Sequence, residues 1–234
     1  MAEQPIQLYY WPTPNGWKIS IMLEECALPY ALNMIDIGAG AQFAPAFLAI
    51  SPNNRIPAIV DPNGPDGAPI SVFESGAILQ YLARKTGRFG GESERERVAV
   101  SEWLFWQVGG LGPMAGQANH FRNYAKEKIP YAIQRYTDEV NRLFGVMNRR
   151  LERNAYLAGP NYTIADMACV GWTTRWERFG QDIREFPHLS RWLDAVLARP
   201  AVKRGVALDD PGRRKTDLST DEEARKILFG QRAR

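Results

Sequence analysis

The region most diagnostic of the architecture is residues 51–82, SPNNRIPAIVDPNGPDGAPISVFESGAILQYL. Apolar runs at 56–61 and 70–73 are separated by a turn rich in Pro and Gly, which predicts a β-hairpin. After the second run, apolar residues fall at helical spacing from Ser75, and the pattern ends near Gly87. The sequence therefore predicts two antiparallel strands followed directly by a helix.

Upstream of this hairpin the sequence predicts a βαβ unit. Residues 6–10 alternate between core and surface positions of a strand, and Pro12 ends the run. Apolar residues at helical spacing begin after Asn15, which is of a type that favours helix N-caps. Residues 32–37 then read as a second strand, parallel to the first because a crossover helix joins them. With a short helix at 43–49, the predicted order up to the end of the hairpin helix is β-α-β-α-β-β-α.

Beyond about residue 90 the strand signals end and long helical patterns take over. These patterns cover residues 94–108, 129–153, 164–179 and 188–199, with a break or bend at 109–113. Thr163 and Asp166 have the spacing of a reciprocal helix cap. We therefore predict an α/β domain at 1–88, an all-α domain at 93–208 and a basic C-terminal tail at 209–234.

Composition is that of an ordinary globular protein. Apolar residues make up 45% of the chain and charged residues 24%, and no window approaches the roughly 18 uninterrupted apolar residues of a membrane helix. The first residues do not read as a signal peptide, so we expect a cytoplasmic protein with no membrane partner. Cys26 and Cys169 have no second Cys or His at metal-ligand spacing, which predicts small buried hydrophobes and no metal site.

The net charge of +3 lies in the C-terminal tail. Residues 212–234 hold seven Lys/Arg against four Asp/Glu, so the rest of the chain is balanced. Aromatic residues do not alternate with the basic ones, and we predict a solvated tail and no nucleic-acid partner. A short helix through Ile227 and Leu228, capped by Ser219 or Thr220, is expected to pack on the body.

Two segments of residues 51–82 carry groups that suit a small peptide ligand. A cis bond between Ile56 and Pro57 would present the backbone of Ile56 to an extended peptide, whereas a plain loop-to-strand proline explains the same residues without a ligand. Glu74 and Ser75 stand at the start of a helix, where free N–H groups and the helix dipole favour an anion. Capping alone also explains Ser75. Together the two segments suit a peptide with a free carboxylate and an amine near Glu74.

These segments resemble the two glutathione-binding motifs of the glutathione transferases. The matching stretches are 51–59 and 74–82, and Thr163–Asp166 resembles the buried helix cap of that family. Within the family the sequence resembles the bacterial nu class, whose members are glutathione-dependent disulfide reductases. The stretches that carry this second resemblance are 13–16, 40–43, 103–114 and 129–132. The resemblance covers roughly residues 5–205 and implies a thioredoxin-like N-terminal domain, an all-α C-terminal domain and a homodimer.

The resemblance also implies roles for individual residues. Thr13 and Asn15 would be catalytic and face the sulfur of glutathione. The residues that would hold the ligand are Asn15, Gln42, Ile56, Pro57, Glu74 and Ser75, with Arg135 reaching a glycine carboxylate across a dimer interface. A Thr hydroxyl, an Asn amide and a helix N-terminus favour a thiolate without any protein cysteine. The bound thiolate would attack a disulfide, and a second glutathione would complete the exchange.

Other interpretations are open at the level of sequence. A turn and an N-cap explain Thr13 and Asn15 without chemistry, and Tyr9 or Tyr10 is a rival thiolate partner, although Tyr10 lies inside the predicted strand. A conjugating or thioether-cleaving enzyme for aromatic electrophiles would need an apolar pocket. Its candidate residues, equally explained as helical core, are Trp106, Phe121, Tyr124 and Trp176. A non-catalytic scaffold would need none of the polar groups. The leading hypothesis is reduction of small disulfides with one or two glutathione molecules per site.

Overall fold

The computed structural model describes residues 4–212, 218 and 220–232, and its sheet confirms the predicted β topology. The strands are β1 Ile6–Tyr10, β2 Tyr30–Met34, β3 Ala58–Asp61 and β4 Ile70–Phe73, in the spatial order β2-β1-β3-β4. β1 and β2 are parallel, and β3 is antiparallel to both β1 and β4. β2 begins two residues before the predicted strand at 32–37 and ends three residues before its predicted end. Asp36 starts a turn there, and its carboxylate accepts the N–H groups of Gly38 and Ala39 at 2.9 and 3.1 Å.

Three helices follow β1, β2 and β4. They are α1 Pro14–Cys26, α2 Pro45–Leu48 and α3 Ser75–Thr86. The N-cap of α1 is Thr13, so the prediction that Asn15 caps this helix is wrong. Pro14 accounts for the difference, because its fixed φ and missing N–H suit the first helical position and move the cap one residue before it. Asn15 therefore lies inside the first turn.

The second part of the chain is all-α, as predicted. Its helices are α4 Glu94–Trp106, α5 Gly112–Asn119, α6 Pro130–Glu152, α7 Ile164–Thr173 and α8 Pro187–Ala198. The predicted break at 109–113 is a π-helical turn, Gln107–Leu111, that leads from α4 into α5. α7 ends well before the predicted residue 179. The hydroxyls of Thr173 and Thr174 bond back to the carbonyls of Cys169 and Gly171, and this competition disfavours further helix.

The predicted reciprocal cap of α7 is confirmed. Thr163 is the N-cap, and its hydroxyl accepts the N–H of Ala165 at 3.3 Å. Asp166 is fully buried and accepts the N–H groups of Thr163 at 2.9 Å and Leu157 at 3.0 Å, together with the indole N–H of Trp192 at 2.8 Å. Burial raises the pKa of the Asp166 carboxyl, and these hydrogen bonds oppose the rise.

The chain divides into two compact units. One unit combines Met1–Ile78 with Arg204–Arg234, and the other is Leu79–Lys203. The sequence predicted that a helix in the tail packs on the body, but it did not predict that residues after 203 join the first unit. The predicted domain limits, 1–88, 93–208 and 209–234, stay predictions.

Residues after 203 are tied into the first unit by named contacts. The hydroxyl of Ser20 donates to the carbonyl of Gly205 at 2.7 Å, and the Arg204 guanidinium lies 2.6 Å from the Glu24 carboxylate. A side chain on Gly205 would lie 2.7 Å from the backbone of Ile21, so glycine is needed for this close approach. Arg204 and Gly205 belong to α9, Pro200–Ala207, which the sequence pattern did not predict.

The short helix expected in the tail is present as α10, Glu222–Phe229, with a different cap. Asp221 is the N-cap, and its carboxylate accepts the N–H of Ala224 at 2.9 Å. Thr220 therefore does not cap the helix, because a carboxylate one residue closer takes the first-turn N–H. The alternative cap Ser219 lies outside the described residues. So do several charges of the predicted solvated tail, namely Arg213, Arg214, Lys215, Asp217 and Arg234.

The two cysteines occupy different environments and are not joined in a disulfide. Cys169 is buried in α7, as expected for a small hydrophobe, whereas Cys26 is half-buried at the end of α1. Across 4–212, 218 and 220–232, no helix combines the length and the apolarity needed to cross a membrane.

Candidate active site

The predicted site residues of the first unit gather at one edge of the sheet. Tyr10 at the end of β1 is in register with Met34 at the end of β2, and Tyr9 is in register with Ala58 at the start of β3. Ala58 is in turn in register with Phe73 at the end of β4. Neighbouring strands lie about 4.8 Å apart, so the loops leaving this edge are adjacent. These loops and the helices that follow them carry Thr13, Asn15, Gln42, Ile56, Pro57, Glu74 and Ser75.

The head of α1 presents Thr13 half-buried in an extended conformation. Its hydroxyl oxygen accepts the N–H of Gly16 at 3.2 Å, which leaves the hydroxyl hydrogen available to donate. Gly16 allows this turn to pack against the residue that follows β1, since a Cβ there would lie 2.2 Å from the carbonyl of Trp11. The turn thus combines a hydroxyl donor with the positive end of a helix dipole, an arrangement that stabilises an anion.

The bond between Ile56 and Pro57 is cis, one of the two alternatives drawn from the sequence. Ile56 is half-buried and precedes β3, so its backbone takes no part in the sheet ladder. The loop before it is braced by the hydroxyl of Ser51, which donates to the carbonyl of Arg55 at 2.9 Å. Ile56 therefore has a backbone N–H and carbonyl to offer an extended peptide.

Glu74 and Ser75 differ in how the fold holds them. Glu74 is exposed with φ at 68°, a left-handed conformation that costs a non-glycine residue on the order of 1–3 kcal/mol. Its carboxylate accepts the side-chain N–H of Asn53 at 3.3 Å. Ser75 is the first residue of α3, is 9% exposed, and accepts a hydrogen bond from the ammonium of Lys18 at 3.1 Å. The Ser75 hydroxyl therefore has a side-chain partner on another helix, which capping does not require.

Gln42 carries a buried acceptor that lacks a hydrogen-bond partner among the described residues. Its side chain is 1% exposed, and its amide N–H donates to the carbonyl of Ile37 at 3.1 Å. The amide oxygen Oε1 has no donor. An unpaired buried polar atom costs roughly 1–3 kcal/mol, which a donor from a ligand would relieve. This acceptor fits a peptide ligand, which brings N–H groups of its own.

Tyr10 does not serve the head of α1. It is fully buried in β1, and its hydroxyl donates to the carbonyl of Leu208 at 3.0 Å. Burial raises the pKa of the Tyr10 phenol above its ordinary value. Tyr9 packs its ring against Phe47, with ring centroids 6.0 Å apart. A tyrosine-type site at Tyr10 is thereby excluded, as its position inside the strand indicated.

The second unit carries the remaining predicted residues. The side chain of Arg135 on α6 is 57% exposed, and its guanidinium lies 3.8 Å from the carboxylate of Glu139. Its predicted contact with a ligand stays a prediction. The aromatic candidates for an apolar pocket are all half-buried; they are Trp106, Phe121, Tyr124 and Trp176.

Two features next to the site had no clear sequence signal. Lys18 is 2% exposed inside α1, and its only hint is a charge within the apolar run of that helix. The segment formed by α10 and the residues after it reaches the site loops: Gln231 accepts a hydrogen bond from Arg55 at 2.5 Å. Ile227 lies 3.8 Å from where a Cβ on Gly40 would stand. Periodicity predicts that a helix is amphipathic, but it does not identify the surface the helix covers.

Comparisons with known proteins identify the family. Residues 13–85 match the family model of the glutathione S-transferase N-terminal domain, and residues 120–200 match that of the C-terminal domain. The chain is 51% identical over 213 residues to disulfide-bond oxidoreductase YfcG of Escherichia coli strain K12, covering 91% of this chain and 99% of the relative. The chain belongs to the glutathione transferase family. The α/β unit and the helical unit are accordingly the thioredoxin-like and all-α domains of this glutathione transferase.

Solved structures of other glutathione transferases share its fold. One from Burkholderia graminis, with two glutathione molecules bound per subunit, aligns with a TM-score of 0.84 and 43% identity over 90% of each chain. One from Pseudomonas putida, with one glutathione disulfide bound per subunit, aligns with a TM-score of 0.83 and 41% identity, covering 89% of this transferase and 92% of that chain.

Proposed function

We propose that this transferase binds glutathione at the sheet edge and uses its thiolate to reduce small disulfides. The observation that carries the proposal is the head of α1, where a hydroxyl donor and a helix N-terminus stand together and Tyr10 is engaged elsewhere. The fold does not decide a reaction, but the names of the relatives support this one. A curated relative is a disulfide-bond oxidoreductase, and a solved relative holds glutathione disulfide.

In this proposal, each part of glutathione is bound by a different set of residues. The Thr13 hydroxyl and Asn15 face the sulfur, and the Ile56 backbone pairs with the peptide. Gln42 accepts a peptide N–H through its unpaired oxygen. Glu74 binds the α-amine and Ser75 the α-carboxylate of the γ-glutamyl end. In this arrangement each ligand charge meets an opposite charge or a donor.

The chemistry needs no protein thiol. Bound glutathione supplies the nucleophilic thiolate, and a second glutathione supplies the remaining reducing equivalent of a thiol–disulfide exchange. Thr13 and the α1 dipole lower the thiol pKa, so that more thiolate is present at neutral pH. The proposal extends to a cytoplasmic homodimer in which Arg135 of one subunit meets a glycine carboxylate held by the other.

The test is turnover of 2-hydroxyethyl disulfide with glutathione. We expect turnover by the wild type and loss in Thr13→Ala and in Asn15→Ala. Matched controls are Thr86→Ala, which removes a hydroxyl bonded to the Leu82 carbonyl at the far end of α3, and Asn161→Ala on the exposed surface of the helical unit. Both controls should retain turnover.

A wild type that binds glutathione but does not reduce the disulfide would overturn the reductase proposal. The half-buried aromatic residues of the helical unit would then favour the second candidate, conjugation to or removal of glutathione from aromatic compounds. Formation of an aryl thioether from glutathione and chlorodinitrobenzene measures that activity directly. Absence of glutathione binding would favour the scaffold interpretation.

A further inference from the structure

Lys18 is a buried cation in the glutathione-binding unit with no role in the proposed reaction. Its side chain is 2% exposed, although lysine is among the residues least often buried. Removing an ammonium from water is costly, so such a lysine is retained where it makes specific polar contacts. One of those contacts is the hydroxyl of Ser75, 3.1 Å from the Lys18 ammonium.

The chemistry of this contact fixes the direction of the Ser75 hydroxyl. An ammonium has three donors and no acceptor, so Lys18 must donate and the Ser75 oxygen must accept. The hydroxyl hydrogen of Ser75 then points away from Lys18, and none of the described residues accepts it. A hydroxyl that accepts from a cation is also polarised, which strengthens it as a donor. The pair therefore presents an oriented O–H at the head of α3.

We propose that Lys18 is the positioning residue for the α-carboxylate of glutathione, acting through the Ser75 hydroxyl. The proposal rests on the proposed function, in which Ser75 binds that carboxylate. Lys18 lies five residues after Thr13 on α1, about 7.5 Å along the helix axis. One rigid helix thus sets both the sulfur end of the ligand and, through Ser75, its γ-glutamyl end.

The experiment compares two ligands that differ in one group. Glutathione carries the α-carboxylate, and 4-aminobutyryl-cysteinyl-glycine lacks it. In Lys18→Met, which keeps the length of the side chain, we expect glutathione to bind roughly tenfold more weakly, the size of effect expected for a hydrogen bond to a charged group. Affinity for the analogue should change by less than about twofold. Calorimetric titration of the full-length protein measures both dissociation constants.

Two further variants separate positioning from a structural role. Ser75→Ala should reproduce the loss for glutathione, and the double variant should lose little more, because both residues act on one hydroxyl. Lys226→Met, at an exposed lysine of α10 in the same unit, is the matched control and should bind both ligands as the wild type does. Equal weakening of both ligands in Lys18→Met, or additive losses in the double variant, would overturn the inference.

The outcomes for the two proposals differ. A wild type that binds no glutathione overturns both. A wild type that binds glutathione no better than the analogue overturns the role of Lys18 alone. Should Lys18→Met fail to unfold cooperatively, a crystal structure of the wild-type glutathione complex decides. Ser75 Oγ between the Lys18 ammonium and the ligand carboxylate supports the inference, and Ser75 Oγ directed away from the carboxylate overturns it.

Discussion

Two helices of this transferase are capped by threonine, and their first turns are built differently. At α7, Thr163 is 4% exposed and Asp166 fills the turn with a carboxylate that three N–H donors surround. At α1, Thr13 is half-buried, and the corresponding third residue of the helix is Gly16, which brings no side chain. The head of α7 is closed by its own sequence, whereas the head of α1 is open.

The same capping residue serves different purposes in the two helices. An acid in the first turn satisfies N–H groups and matches the helix dipole, which stabilises the fold. The same acid at the head of α1 would repel a thiolate and take up its donors. An N-terminus without an acidic side chain, as in α1, suits the anionic ligand of the proposed function.

The largest expected effect is on stability and lies at the closed head. Asp166→Ala should lower the free energy of unfolding by about 3–5 kcal/mol, because it leaves the buried donors of Leu157, Thr163 and Trp192 without an acceptor. Urea denaturation measures the loss. Asp194→Ala, at an exposed acid of the same unit, is the control and should change little. A loss below about 1 kcal/mol would contradict the structural role assigned to the carboxylate.

At the open head of α1, a substitution should affect activity more than stability. Thr13→Ala is expected to reduce disulfide turnover by about 100-fold, as loss of one hydrogen-bond donor to a developing anion does. Loss of the cap should lower the free energy of unfolding by only about 1 kcal/mol. The pKa of the bound thiol, followed by thiolate absorbance against pH, should rise. Thr13→Ser keeps the hydroxyl and should keep most of the turnover. If the serine variant were as impaired as the alanine variant, the hydroxyl would not be the active group.

The same substitution at the closed head should affect only the fold. Thr163→Ala is expected to cost about 1 kcal/mol through loss of the cap, and less than Asp166→Ala because Asp166 still serves the backbone. Urea denaturation and disulfide turnover are measured on the same preparation. Turnover per folded molecule should match the wild type. A large fall in turnover would remove the contrast between the two heads.

The smallest effect on activity is expected beside the open head, at Tyr10. Tyr10→Phe should leave both turnover and the thiol pKa unchanged, because the phenol is bonded to Leu208. Burial raises the pKa of Tyr10 in the native state, so the unfolded state loses its proton first. Stability should therefore fall as pH rises above about 10, and the fall should be shallower in the variant. Urea denaturation at a series of alkaline pH values measures it. An equal slope would contradict the buried phenol as its source.

The sequence predicted the structure best where an element is determined by residues close together in the chain. The alternation in β1, the turn between β3 and β4, and the spacing of Thr163 and Asp166 are local signals, and each predicted its structure correctly. The site edge follows from them, because the register of four strands brings their loops together. The resemblance of two of its segments to the family motifs then predicted that the ligand is glutathione.

The wrong or missing predictions have both local and tertiary causes. Asn15 is a sound N-cap by propensity, yet Pro14 moves the cap to Thr13. The hydrophobic pattern past Thr173 is helical, but hydroxyls at the helix end compete for the carbonyls. The charge of Lys18 within an apolar run was only a weak signal, because burial of a lysine depends on a partner, here 57 residues away in the chain. The hydrophobic pattern predicts which residues are buried, but it does not predict which polar groups form hydrogen bonds with each other.

The return of the chain end to the first unit has a consequence for biosynthesis. Ser75 is the last of the proposed ligand-binding residues of that unit, but Gly205, which packs on α1, is translated 130 residues later, roughly 6–26 s at elongation rates of about 5–20 residues per second. During that interval Ser20 and Tyr10 lack the carbonyls of Gly205 and Leu208 that they bond in the native state. A nascent chain thus carries every proposed glutathione-binding residue of the first unit well before the contacts that complete that unit can form.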